Sequence, residues 1–342
     1  MEYLAEYGLF LAKAVTFVVA LLICFAVVAS FGQKNKQSAK GHLEIKKLNE
    51  HYDHLKADLK NSLLDKDALK KQHKEEKKQE KANKKKPKEQ KARLFVIDFH
   101  GDMKASAVKS LREEITAVLS VAETSDEVLV RLESAGGLVH SYGFAASQLQ
   151  RIRDSGIKFT IAVDKVAASG GYMMACTANK IIAAPFAVIG SIGVMAQLPN
   201  INKLLKKHDV DIELHTAGEY KRTLTMLGEN TDKGREKFKQ DIQDTHELFK
   251  DFIKHERKQV EIEKVATGEI WYGQKALEQK LVDKIMTSDE YIYNQVEALD
   301  IVQVTYSTKK GMAEKLGLAA ESSAERAMTR VWEKFSESRF FS

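Results

Sequence analysis

From residue 93 onward, short apolar blocks alternate with stretches whose apolar positions recur every three or four residues. Leu94 to Phe99, Glu127 to Leu132 and Lys158 to Val163 have the length and β-branched content of buried strands. Between them, Ala105 to Val121 and about Tyr142 to Asp154 carry the periodicity of amphipathic helices. Strands alternating with helices at this spacing predict an α/β domain, with the loops after successive strands gathered at one edge. A further uncharged run, Ile181 to Leu198, is long enough to be mistaken for a membrane span. Pro185, Gly190, Ser191 and Gly193 break it into short pieces, so it reads as buried strand and turn. Beyond it the pattern predicts a strand at Val210 to His215 and a long helix from about Lys233 to Val260. Phe238, Ile242, His246, Phe249 and Ile253 form a stripe on that helix, a face for the core or for a neighbouring subunit, the core being the expected partner. A last helix, Asp289 to Leu299, and a last strand, Ile301 to Tyr306, follow.

The residues ahead of this domain read differently. Ala14 to Phe31 is uncharged and mostly apolar, about 27 Å as a helix and close to the thickness of a bilayer core. A cleaved signal peptide is the competing reading, but its apolar region is usually shorter, and Val27-Val28-Ala29 is a poor cleavage site. An uncleaved anchor contacting the lipid bilayer through residues 14–31 is therefore expected. Lys34, Lys36, Lys40, Lys46 and Lys47 follow the span while Lys13 precedes it, so counting positive charges places the C-terminal domain in the cytoplasm. From Gln33 to Lys91 the chain is polar and lysine-rich, with a thin helical stripe at Ile45, Leu48, Tyr52, Leu55, Leu59 and Leu63. The expected organisation is an anchor at 1–32, a helical or disordered tether at 33–92, a folded domain at 93–308 and a polar tail at 309–342. The tail holds an amphipathic stretch from Ala324 to Phe335.

Charge and cysteine content refine this division. The net charge of the 342 residues is +6, yet Lys66 to Arg93 holds thirteen Lys/Arg against five Asp/Glu, which leaves −2 for everything else. The folded part is thus nearly neutral and the basic character belongs to the tether. Aromatic residues for base stacking are missing from Lys66 to Lys91 and acidic residues are interspersed, so a solvated segment is expected rather than a nucleic-acid site. His51 and His54 lie about one helical turn apart without a clear set of further ligands, and no metal site is expected. The two cysteines are Cys24 and Cys176, one of them in the apolar run, and no structural disulfide is expected.

Candidate chemistry begins where the strand ending at Val163 runs into small residues, then Ser169, Gly170 and Gly171, then a segment of helical composition. A serine at the mouth of a helix is well placed for nucleophilic attack, and the orphan N–H groups of the helix start suit a developing oxyanion. Glu133-Ser134-Ala135-Gly136-Gly137 follows the preceding strand, so its glycine loop is expected at the same edge. Backbone N–H groups of Gly136 and Gly170, with Gly137 alongside, are the candidate oxyanion hole. The base is less determined. His100 and His140 sit near loop ends, and no spacing selects either. Lys221, in Gly218-Glu219-Tyr220-Lys221, is the other candidate. A lysine accepts the hydroxyl proton only when neutral, a state that burial in an apolar, water-poor site favours.

Taken together, the segments resemble the signal peptide peptidase A/SohB-type membrane-anchored serine proteases over about Arg93 to Gln303. The residues that carry the resemblance are Ser134-Ala135-Gly136-Gly137, Ala168-Ser169-Gly170-Gly171-Tyr172, Gly190-Ser191-Ile192-Gly193-Val194 and Gly218-Glu219-Tyr220-Lys221. Trp271-Tyr272-Gly273-Gln274-Lys275-Ala276-Leu277 and Leu281-Val282-Asp283 extend it. Two positions depart from the pattern: Ala135 stands where a proline is common, and Lys280 where a glycine is usual. The resemblance implies a ClpP/crotonase-like fold of repeated β-β-α units and a Ser–Lys dyad of Ser169 as nucleophile and Lys221 as general base. It further implies assembly into rings or domes, with serine and lysine sometimes contributed by neighbouring protomers. Peptide or protein substrates, no cofactor, and a bacterial inner-membrane location with the domain on the periplasmic side are implied as well. The last of these opposes the charge count. Two other activities are open at this level: an acyl-thioester enzyme of the same fold without a serine nucleophile, and a membrane-tethered peptide-binding scaffold with an inactive dyad.

Overall fold

The computed structural model describes residues 41–64 and 91–308, together with the isolated positions Lys13, Val15, Thr16 and Val19. Apart from Val15, Thr16 and Val19, the anchor expected at residues 14–31 lies outside the described residues, as do the lysine-rich stretch 65–90 and the tail from 309. No helix among the described residues is long and apolar enough to cross a membrane. One compact unit spans Leu43–Tyr306.

The unit is built on a largely parallel sheet. Its strands are β1 (His42–Lys47), β2 (Arg93–Gly101), β3 (Glu127–Ser134), β4 (Lys158–Val163), β5 (Val166–Ala168), β6 (Lys180–Ala183), β7 (Val188–Gly190), β8 (Ile270–Tyr272), β9 (Lys284–Ile285) and β10 (Asp300–Ser307). The main path runs β1-β10-β2-β3-β4-β6-β9. A branch leaves the end of β3, where Ser134 pairs with Ala167 of β5, and continues through β7 to β8, which pairs antiparallel to β7. The helices are α1 (Leu48–Leu63), α2 (Val108–Leu119), α3 (Val139–Asp154), α4 (Gly170–Ala175), α5 (Asn202–Lys207), α6 (Asp232–Glu256), α7 (Ile262–Val265), α8 (Gly273–Glu278) and α9 (Ser288–Tyr293).

Alternation along the strands explains why the sheet is covered on both faces. Phe95, Ile97 and Phe99 of β2, with Val128, Val130 and Leu132 of β3, point into a large core that also holds Leu111, Ile115, Leu149, Ile152 and Tyr172. Leu94, Val96 and Leu129 point the other way, into a smaller cluster completed by Leu48, Tyr291, Ile292 and Ile301. Both faces being apolar, these strands read in sequence as short runs of consecutive apolar residues, Leu94 to Ile97 and Val128 to Val130.

Three expectations are revised. The stripe expected to be helical from Ile45 begins in β1, and Leu48 and Asn49 of α1 join the domain. The Asn49 amide donates to the carbonyls of Val296 and Leu299 and accepts from the Ile301 N–H. Residues 43–64 therefore belong with the compact unit that was expected to start at Arg93. Secondly, residues 210–215 form no strand. Val210, Ile212 and Leu214 alternate with charged residues as a strand would, but they are 42%, 40% and 53% exposed. A strand needs a neighbour for its ladder, and none of the described residues pairs with it there. Thirdly, the last helix ends at Tyr293 rather than Leu299, the remainder being turns.

Two further features bear on stability. Lys280 has φ 62°, and its N–H bonds Leu277 O while the Leu281 N–H bonds Ala276 O. That is a Schellman ending to α8, the place where a left-handed residue is usually glycine. Glu114 on α2 is 4% exposed, and its carboxylate accepts the Tyr306 N–H at 2.7 Å near the end of β10. Burial pushes its pKa up to about 7. A carboxyl whose folded value lies above its unfolded one favours the fold only while protonated. That contribution is complete below the ordinary value of 4.5 and lost as pH rises through about 7. Stability should therefore fall by roughly 3 kcal/mol between acidic and mildly alkaline pH. Glu114→Gln, which keeps the acceptor, should abolish that slope; denaturant titration at several pH values measures it.

Candidate active site

The branch point of the sheet sets the site. β3 ends at Ser134, held between Gly101 of β2 and Ala167 of β5. The chain then turns through Gly136, at φ +89°, before α3 begins. One strand further along the branch, β5 delivers Ser169 directly ahead of α4. The two loops expected at one edge do meet. A side-chain carbon placed on Gly136 would stand 2.7 Å from Gly170 N and 2.9 Å from Ser169 Cβ. Only glycine fits there, on space and on backbone angle alike.

Ser169 is itself conformationally unusual, with φ 51° and ψ −119°. A non-glycine residue in such a region carries strain of about 1–3 kcal/mol, which its surroundings must hold in place. They do so from both sides: its N–H donates to Gly190 O at 2.7 Å, and its carbonyl accepts the Met173 N–H at 3.0 Å. Ser169 is half-buried, while all six residues of α4 are buried. The Tyr172 hydroxyl donates to Leu281 O at 2.9 Å, tying the helix to the turn after α8. Asp283 in that turn receives a two-pronged bond from Arg257, itself 2% exposed, at 2.8 and 2.9 Å. Cys176, just past α4, is fully buried, and burial pushes its thiol pKa up. It behaves as a small apolar filler.

A narrow crevice opens at the serine, lined by Gly137, Ser169 and Gly170 together with Val139, Met173, Val194, Thr245 and Phe249. Gly137 lines it and Gly136 does not. The Gly136 N–H, expected as an oxyanion donor, instead donates to Ser134 Oγ at 3.1 Å. Ser134 Oγ also lies 2.6 Å from the Tyr142 hydroxyl, which donates to Asp102 O at 2.7 Å. Among the described residues, the N–H groups of Gly137 and Gly170 have no hydrogen-bond partner. Two donors beside a serine hydroxyl, with apolar walls around them, can stabilise a tetrahedral oxyanion.

The base candidates are not gathered at this point. His100 is 74% exposed beside Glu133, and His140 is exposed as well. Neither lines the crevice. Lys221 also stands apart, in a turn closed by its own N–H to Gly218 O at 3.2 Å. Its residue is exposed, as is every residue from Lys206 to Arg222. No hydrogen bond joins Lys221 to Ser169 among the described residues. Sequence reasoning missed Ser134, Tyr142 and the carbonyl of Asp102. Ser134 carried a faint signal, its place just before two glycines; Tyr142 carried none.

The chain matches the description Peptidase family S49 N-terminal over residues 2–149 and Peptidase family S49 over residues 151–302. It is 51% identical over 334 residues to the Haemophilus influenzae protein described as a probable protease SohB, covering 94% of each chain. The Buchnera aphidicola (Acyrthosiphon pisum) protein of the same description is 46% identical over 335 residues, covering 97% of this chain and 98% of its own. A solved mutant of the 1510-N membrane-bound stomatin-specific protease, in complex with a substrate peptide, superposes with TM-score 0.41 at 14% identity. That superposition covers 66% of this chain and 96% of that one.

Proposed function

Because the chain belongs to peptidase family S49 and is of the SohB type, we propose that it is a membrane-anchored serine endopeptidase with a Ser169–Lys221 dyad. The observation that carries this reading is Ser169 itself: strained, half-buried, at the start of α4, in one crevice with Gly137 and Gly170. In this mechanism Ser169 Oγ attacks a peptide carbonyl carbon while its proton passes to a neutral Lys221 Nζ. The amides of Gly137 and Gly170 hold the oxyanion. Collapse of the intermediate expels the amine, which takes the proton back from Lys221 and leaves an acyl-serine. Water then attacks the acyl group, giving its proton to Lys221, and the carboxylic acid departs as Ser169 recovers its hydrogen.

The dyad is read as shared between protomers. A lysine takes a hydroxyl proton only where water is kept away from it, and Lys221 is exposed in the single chain, so the cover is read as a neighbour's surface. Support comes from the segment that carries it, whose apolar Val210, Ile212, Leu214 and Tyr220 are all exposed in the single chain. A second copy offers those side chains a surface and Lys221 a dry pocket. The ClpP/crotonase-like fold, the ring or dome, the anchor at residues 14–31 and the periplasmic placement of the domain belong to the same proposal. The apolar crevice walls favour peptides with a small apolar residue at the scissile carbonyl.

A fluorophosphonate probe tests the nucleophile. It is expected to label the wild-type protein at one site, Ser169, and to leave Ser169→Ala unlabelled. Peptide hydrolysis without serine labelling would instead favour chemistry carried by the glycine amides alone.

A further inference from the structure

We infer that Ser134 and Tyr142 are positioning residues that decide which loop amide faces the nucleophile, an inference resting on the acyl-transfer reading of Ser169. A loop of two adjacent glycines has little intrinsic preference for the orientation of its peptides. Something must select the one in which a free N–H meets the oxyanion. Ser134 does this from below. Its backbone is fixed by sheet pairing on both sides, to Gly101 and to Ala167, and it is 2% exposed. Its hydroxyl accepts the Gly136 N–H, so that peptide is held towards the protein interior and the next amide, Gly137, is left to the crevice.

Tyr142 completes the device. Its hydroxyl donates its single hydrogen to Asp102 O, so in the pair with Ser134 the serine must be the donor. The Ser134 oxygen then keeps its lone pairs for Gly136. The Tyr142 ring reaches the other half of the site: a side-chain carbon on Gly170 would run into the ring carbons of Tyr142. A carbon on Gly171 would likewise meet Ser134 O. One fully buried tyrosine and one buried serine thus brace both the loop that supplies Gly137 and the helix start that supplies Gly170. The spacing between two donors matters because they must reach the oxyanion together, and misplacement by a fraction of an ångström forfeits part of their effect.

The test uses the full-length protein with a peptide substrate and a peptide aldehyde, whose adduct with Ser169 mimics the oxyanion. In Ser134→Ala and in Tyr142→Phe, kcat should fall about 10- to 100-fold while KM stays within about twofold. The aldehyde inhibition constant should rise in the same proportion. The double variant should be no worse than Ser134→Ala alone, because both act through one hydrogen-bond chain. Unchanged kcat and aldehyde affinity in both variants would overturn the inference, as would a loss that merely follows the folded fraction in thermal melting. A wild-type protein that forms no adduct at Ser169 would instead sink the acyl-transfer reading, and this inference with it.

Discussion

Ser169→Ala and Lys221→Ala are each expected to lower kcat/KM for peptide hydrolysis by at least about 10⁴-fold, with the folded state intact. The serine variant loses the covalent route altogether, leaving the glycine amides to assist water. The lysine variant keeps the nucleophile but has nothing to receive its proton, and at neutral pH an alcohol is a poor nucleophile. The two effects should not add, since both groups serve one proton transfer. Neither substitution threatens the fold. Lys221 is exposed, and its side chain makes no hydrogen bond or ion pair among the described residues. Alanine removes only one oxygen at Ser169, where the strained backbone is held by main-chain bonds to Gly190 and Met173. Purified variants assayed on casein or a fluorogenic peptide, with melting curves alongside, give the answer. Wild-type turnover by either variant rejects the dyad.

Mixing those two inactive proteins, dissociated and reassembled at equal concentration, should restore about a quarter of wild-type activity, because a site spanning a subunit boundary is whole when its two halves come from different variants. Half of the serine positions and half of the lysine positions survive in random assembly, and an active site needs both. A dyad within one chain predicts none of this recovery. The expectation follows from the position of Lys221 outside the Ser169 crevice and from the apolar side chains exposed around it. Cross-linking that finds only monomers in a fully active preparation would count equally against the shared site.

Much of the fold was legible in the sequence for a definite reason. β2, β3 and β4 are covered on both faces, so each carries a run of consecutive apolar residues (Leu94 to Ile97, Val128 to Val130, Ile161 to Val163) that announces it without any neighbour being known. The helices between them show periodicity because one face meets the sheet and the other meets water. The glycine loop and Ser169 were legible too, since tight turns leave residue types behind them. β1 was not: all six of its residues are exposed, and His42-Leu43-Glu44-Ile45-Lys46-Lys47 becomes a strand only by lying against the sheet edge. The reverse error at Val210 to Leu214 has the same origin, a strand-like alternation that pairs with no edge among the described residues.

What the sequence determined by itself is the set of local conditions: which segments bury both faces, which turns require glycine, and which serine stands at a helix start. Those depend on side-chain type and spacing along a few consecutive residues. The tertiary structure alone decided that Ser134, itself bonded to Tyr142, claims the Gly136 amide, that Gly137 is the one left at the crevice, and that Lys221 lies in the open outside it. Such outcomes turn on hydrogen bonds of fixed length and direction between segments far apart in the chain, and no periodicity encodes where those segments meet.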